Sequence, residues 1–281
     1  MNSENHLLFE VCDRVLYVTL NRPEKHNALS LALLSDIKTL FENYSDNENI
    51  IAATITGSGS KTFAAGGDLK ELSLLNTEAQ AKEMSLSAKA SLNAIRNFPV
   101  PVIAVLNGNT FGGAAELAVA CDFRIAASHA KIGFVQGRLA LSRAWGGCPY
   151  LLQLVGRSRG LQLMLTGKMV SSDEALSLGL IDKVVSNGDS LANYVEEFLL
   201  PLRAQAPQVV RVFKALSDSY RNGDSRKSMQ DIETKMFVDT WVHEDHWNAA
   251  EKILPVRGLS LIHISEPTRR TPISYAVFCL K

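Results

Sequence analysis

The chain has 281 residues, 46% of them apolar and 21% charged, and its 29 basic and 29 acidic side chains cancel. This length and composition suit an ordinary folded protein with one large domain, or a core with an appendage. The charge balance excludes a basic face for nucleic acid and an acidic tail, so a small molecule is the default substrate.

The N-terminus, Met-Asn-Ser-Glu-Asn-His, has no basic segment followed by an apolar one, and no apolar run reaches the roughly 18 residues of a membrane span. A cytoplasmic protein with no membrane partner is expected. Residues 7–20 alternate apolar and polar on either side of Cys12-Asp13-Arg14, which predicts a β-hairpin ending at Asn21-Arg22-Pro23. Over residues 30–44, Leu31, Leu34, Ile37, Leu40 and Phe41 recur at helical spacing, so one stripe packs inward. Residues 50–56 and 102–106 are short apolar runs bounded by turn residues and predict strands. Between them, residues 77–97 predict a long helix stopped by Pro99 and Pro101. Residues 113–120 form a short apolar helix, and 123–127 another strand. The alternation predicts an α/β core of repeated β-β-α turns.

Beyond residue 145 the pattern turns helical, with helices predicted over 150–155, 160–166, 172–178, 190–203, 207–220 and 225–254, and with 180–185 as the one interrupting strand. Ser171-Ser-Asp-Glu174 ahead of an Ala/Leu-rich run is an N-cap signature. No Pro/Gly/Ser linker separates the two regions. The expected organisation is a core over residues 1–195 and a helical C-terminal region over 196–258. Residues 259–281 resemble the translation of a transposase-type sequencing adaptor followed by its distal primer site. They are set aside together with His263 and Cys279.

Cys12, Cys121, Cys148 and Cys279 show no metal-ligand spacing and no disulfide framework, which suits a reducing compartment. His26, His129, His243 and His246 lack a carboxylate-rich setting for a metal. The informative segments are Phe63-Ala-Ala-Gly-Gly-Asp-Leu-Lys70 and Phe111-Gly-Gly-Ala-Ala-Glu-Leu117, about forty-five residues apart, each leading from a strand into a helix. Glycine allows close backbone approach, and the first N–H groups of a helix lack intrahelical acceptors. Two such junctions suggest two N–H donors converging on one developing oxyanion.

With Asn21-Arg-Pro-Glu-Lys-His-Asn-Ala-Leu29, Asn107-Gly-Asn-Thr110, Ala120-Cys-Asp122, Leu165-Thr-Gly167, Ala175 and Gly179-Leu180, these segments resemble the crotonase, or enoyl-CoA hydratase/isomerase, superfamily over about residues 7–253. The resemblance implies a spiral of β-β-α repeats, a C-terminal helical trimerisation region, and a homotrimer or dimer of trimers. It also implies an acyl-CoA thioester substrate, with coenzyme A part of the substrate and no separate cofactor. On this match the N–H groups of Gly67 and Gly113 hold the thioester oxygen. Ala65, Gly67, Asp68, Leu69 and Lys70 form the thioester-binding segment, and Lys25 lies in a region that contacts the nucleotide part. Lys25 reads equally well as a solvated turn residue. Many relatives have alanine where this chain has Gly67.

Glu116 lies three residues beyond Gly113, where a buried carboxylate has a raised pKa suited to general acid/base work. Hydratases of the family commonly place a second glutamate where this chain has Gln136, within Ala130-Lys-Ile-Gly-Phe-Val-Gln136. A glutamine can orient water but cannot accept a proton as a carboxylate does. No Asp or Glu occurs between Asp122 and Asp173 to replace it. This stretch, with Arg143-Ala-Trp-Gly-Gly147, is similar to the branch that decarboxylates ethylmalonyl- or methylmalonyl-type thioesters, in which Arg138 or Arg143 would bind the leaving carboxylate. Trp145 reads first as a packing residue. The expected function is an acyl-CoA lyase working through an oxyanion-stabilised enolate, enoyl-CoA hydratase-like. Such a decarboxylase, an enoyl-CoA isomerase and a catalytically weakened acyl-CoA-binding subunit stand as alternatives.

Overall fold

The computed structural model describes residues 6–253, so the adaptor-like tail lies outside the described residues. The chain opens with β1 (Leu7–Cys12) and β2 (Val15–Leu20), paired antiparallel through Asp13-Arg14, whose φ values of 45° and 65° make the tight turn that hairpin twist favours. The Ser30 hydroxyl accepts the Leu33 N–H and starts α1 (Leu31–Tyr44). Three β-β-α passages follow, the first with β3 (Ala52–Gly57), β4 (Thr62–Ala64), α2 (Leu69–Leu72) and α3 (Glu78–Arg96). A capping box of Thr77 and Gln80 opens α3. The second passage holds β5 (Val102–Leu106), β6 (Asn109–Phe111) and α4 (Gly113–Ala120). The third holds β7 (Phe123–Ala127), β8 (Lys131–Gly133) and α5 (Gly147–Val155).

Each passage gives one strand to each of two sheets. With the hairpin and β10 (Lys183–Val185), the first strands form a sheet in the order β1-β2-β3-β5-β7-β10, parallel from β2 onward. The second strands, joined antiparallel by β9 (Met169–Ser171), form the order β4-β6-β8-β9. The central strands of the larger sheet are buried on both faces, while β1 at its edge is largely exposed. In β5, Val102, Ala104 and Leu106 join the core beneath α1, α3 and α4, while Ile103 and Val105 face a second cluster. That cluster is closed by Val195 and Leu199 of α8 (Leu191–Arg203). Two buried faces explain why this strand is an unbroken apolar run.

The remaining helices of this unit are α6 (Arg157–Thr166), α7 (Ser172–Ser177), α9 (Pro207–Asn222) and α10 (Arg226–Trp241). A second unit begins at Val242 and holds α11 (Glu244–Ile253). Two sequence expectations need correction here. The single helix over 225–254 is two helices, interrupted at Val242-His243, and β9 is a second strand after residue 145. No helix among the described residues is long and apolar enough to cross a membrane.

Candidate active site

Strands β4 and β6 run parallel and side by side, with Thr62 opposite Asn109 and Ala64 opposite Thr110, so the chain leaves both at the same end of the sheet. Beyond β4, Gly66 takes φ +94°, a region closed to most side chains. Its carbonyl accepts the Leu29 N–H at 2.8 Å, and the Asp68 N–H donates to Leu29 O at 3.0 Å. The Gly67 N–H between them donates to no acceptor among the described residues. Beyond β6, Gly112 (φ +57°) turns the chain, and Gly113 becomes the first residue of α4, so its N–H also has no acceptor within the helix. A Cβ built on Gly66 would meet Phe111 O at 2.9 Å and Gly113 N at 3.4 Å, so the two turns touch.

Trp145 lies across both turns. Its buried indole would stand 2.2 Å from a Cβ on Gly113 and 3.2 Å from one on Gly67. Its Nε1–H is directed at Met84 Sδ, 3.3 Å away.

Glu116 shares the first turn of α4 with Gly113 and is only 1% exposed. Its Oε1 accepts a bond from Gln136 Nε2 at 2.9 Å, and its Oε2 accepts the Gly147 N–H at 2.8 Å. Gly147 has to be glycine, because a Cβ there would fall 2.7–2.8 Å from carbons of Glu116. Burial raises the Glu116 pKa, against the opposing pull of Arg143, the N–H groups of Gly147 and Trp145, and Gln136. Gln136 sits in the 3₁₀ turn Val135–Leu139, and its Oε1 is buried without a partner among the described residues. The Arg143 guanidinium lies 4.1 Å over the Phe134 ring, with Nε 3.8 Å from Glu116 Oε1. Arg138 is exposed.

Lys25 is exposed at the end of the Pro23–Lys25 turn, and Ala65, Leu69 and Lys70 are exposed on the neighbouring segment. Asp68 caps α2 and pairs with Arg22 at 2.9 Å. Burial pushes its pKa up, but the Arg22 bond and the Glu71 N–H outweigh that and hold it below the usual carboxylate range. The structure thus gathers Gly67, Gly113, Glu116 and Gln136 about Trp145 and Gly147, with Lys25, Ala65, Leu69 and Lys70 on the adjoining surface. The sequence reading missed Gly147 as a donor to Glu116 and Arg22 as the partner of Asp68. The doublet Gly146-Gly147 at the start of α5 was the available signal. Among the described residues no cluster of three His, Cys, Asp or Glu side chains is placed to hold a metal ion.

A profile of the enoyl-CoA hydratase/isomerase family matches residues 10–253. The chain is 30% identical over 255 residues to a short-chain-enoyl-CoA hydratase of Clostridium acetobutylicum, spanning 91% of this chain and 97% of that protein. It is 31% identical over 257 residues to a crotonyl-CoA hydratase of Syntrophomonas wolfei, spanning 92% and 98%. Among solved structures, an enoyl-CoA hydratase from Bacillus anthracis superposes with a TM-score of 0.83 at 29% identity, over 89% of this chain and 96% of that one. Two sheets fed by β-β-α repeats, with C-terminal helices, define the crotonase fold. The chain belongs to the enoyl-CoA hydratase/isomerase family and is an enzyme of enoyl-CoA hydratase-like function.

Proposed function

We propose that this protein adds water across the double bond of a 2-enoyl-CoA thioester, with Gly67 and Gly113 holding the thioester oxygen and Glu116 as the only acid/base. The observation that carries the reading is a buried carboxylate held by Gln136 and Gly147 in the same helical turn as Gly113. Glu116 takes a proton from water as the water oxygen bonds to Cβ. The electron pair of the double bond moves onto the thioester oxygen, where the two N–H groups stabilise the enolate. The enolate then collapses as Glu116 returns the proton to Cα. Gln136 takes no proton. Its Nε2 steadies the Glu116 carboxylate, and its Oε1 accepts a hydrogen bond from the water. Removing one donor of such an oxyanion site costs about 10²–10³ in turnover.

The exposed Lys25, Ala65, Leu69 and Lys70, with the largely covered Asp68 between them, take the coenzyme A portion, and the chemistry needs no further cofactor. The helical region beyond α8 serves homotrimer or dimer-of-trimers assembly, supported by the exposed Phe237, Val238 and Trp241 of α10. Free thiols at Cys12, Cys121 and Cys148 support a reducing, cytoplasmic setting. The replacement of a second carboxylate by Gln136 also suits decarboxylation of an ethylmalonyl- or methylmalonyl-type thioester, which needs no base.

Supplying crotonyl-CoA and ethylmalonyl-CoA side by side separates the readings. The protein should convert crotonyl-CoA to 3-hydroxybutyryl-CoA, and Glu116→Gln should reduce that turnover by about 10²–10⁴ while still binding the thioester. Release of carbon dioxide from ethylmalonyl-CoA without hydration of crotonyl-CoA would assign the decarboxylase. Binding without turnover of either would leave an acyl-CoA-binding subunit.

A further inference from the structure

Arg143 takes no step in that chemistry, and its surroundings are unusual for an arginine. Its side chain is 7% exposed, yet Nε, Nη1 and Nη2 are all buried without a hydrogen-bond partner among the described residues. Buried Arg124 shows how this fold satisfies a guanidinium that only braces structure. Its Nε donates to Leu180 O at 2.8 Å, its Nη1 to Cys121 O at 2.8 Å and its Nη2 to the Asp182 carboxylate at 3.0 Å. Arg22, also buried, binds Ala28 O and Asp68. A buried charge left without hydrogen bonds is strongly unfavourable, so a guanidinium kept in that condition points to a partner that arrives with a ligand.

Glu116 does not fill that role. The separation of 3.8 Å from Arg143 Nε to Glu116 Oε1 exceeds a hydrogen bond, so Glu116 supplies an opposite charge but no acceptor. The Phe134 ring covers one face of the guanidinium and leaves its edge of N–H donors as the polar surface. That planar fork matches a carboxylate, which it binds through two parallel bonds. Because Arg143 is buried beside the acid/base, whereas Lys25 and Lys70 are exposed, the anion it takes is on the acyl group and not on the nucleotide.

We propose that Arg143 binds a carboxylate carried by the acyl group, so that the preferred substrate is a coenzyme A monothioester of a short dicarboxylic acid. This rests on the acyl-thioester reading of the site. The carboxylate takes the donors that Glu116 leaves unused, and the 3.8 Å from Arg143 to Glu116 limits how far it lies from the reacting carbons. Specificity then comes from buried guanidinium N–H groups without hydrogen-bond acceptors, which penalise a ligand that ends in a methyl group.

Calorimetric titration of the full chain with glutaryl-CoA and butyryl-CoA, which differ only by one terminal carboxylate, tests this without turnover. The wild type should bind glutaryl-CoA at least about tenfold more tightly, the scale of one charge-assisted hydrogen bond. Arg143→Met should abolish the preference and Arg143→Lys should restore part of it, with folding checked by circular dichroism. Equal affinities in the wild type would overturn the proposal, as would an Arg143→Met variant that weakens both ligands by the same factor. Should both variants misfold, the wild-type ratio alone decides. Turnover of crotonyl-CoA reads the reaction separately: a kept preference without hydration removes only the hydratase reading, and hydration without a preference removes only this one.

Discussion

Glu116 is pulled in two directions. Burial disfavours its anion, while Arg143, two backbone N–H groups and Gln136 favour it, and burial prevails. If the carboxylate is the working base, the acid limb of kcat/KM should lie above the ordinary glutamate range of about 4.3, and Gln136→Leu should move it higher by removing a donor to the anion. A limb at the ordinary value in the wild type, or one that Gln136→Leu leaves in place, would count against Glu116 as the titrating group. The linkage has opposite signs at two carboxylates. The raised folded pKa of Glu116 contributes stability below its unfolded pKa, lost as pH rises through the folded value, whereas the depressed pKa of Asp68 contributes stability above its unfolded pKa, lost as pH falls through the folded one. Glu116, Gly67, Gly113 and Gln136 could all be singled out in the sequence, because each stands in a local pattern. The contact of Gly147 with Glu116 could not, because its partners are 31 residues apart. Arg143 was visible as a candidate, but its unsatisfied burial is a property of the folded chain alone.

At the level of elements, the runs with a clear period were the legible ones. Helix α4 and strands β5 and β7 fall on residues 113–120, 102–106 and 123–127, as predicted. The β-β-α reading implied a strand before each glycine segment, but the bounds of the second strands and their pairing into a separate sheet were not legible, because β4, β6, β8 and β9 are three residues each, too short to display alternation. The break between α10 and α11 falls at Val242-His243, which carries no glycine or proline to announce it. The junction of β6 with α4 gives a packing prediction. Gly113→Ala would drive a methyl group into the Trp145 indole and should destabilise the protein by about 1–3 kcal/mol. Trp145→Ala should cost about 3–5 kcal/mol on its own. The double variant should fall short of the sum by about 0.5–3 kcal/mol, because the shortened side chain makes room for the methyl group. Denaturant unfolding of the three variants measures the coupling, and strict additivity would refute the contact.

For the whole molecule, the repeat explains how a site arises from distant segments. Each β-β-α passage sends its second strand into the smaller sheet, so glycine turns about forty-five residues apart in sequence leave adjacent parallel strands and touch. The same construction sets Glu116 in the first turn of α4 with Gly113, and α5 then brings Gly147 against it. The alternation of strands and helices pointed toward this architecture, but which junctions meet is decided by sheet order. The most direct test is a crystal structure of the protein with crotonyl-CoA bound to the Glu116→Gln variant. The thioester oxygen should lie about 2.7–3.1 Å from the nitrogens of both Gly67 and Gly113. A thioester oxygen bonded elsewhere, with those two N–H groups directed away from it, would contradict the account.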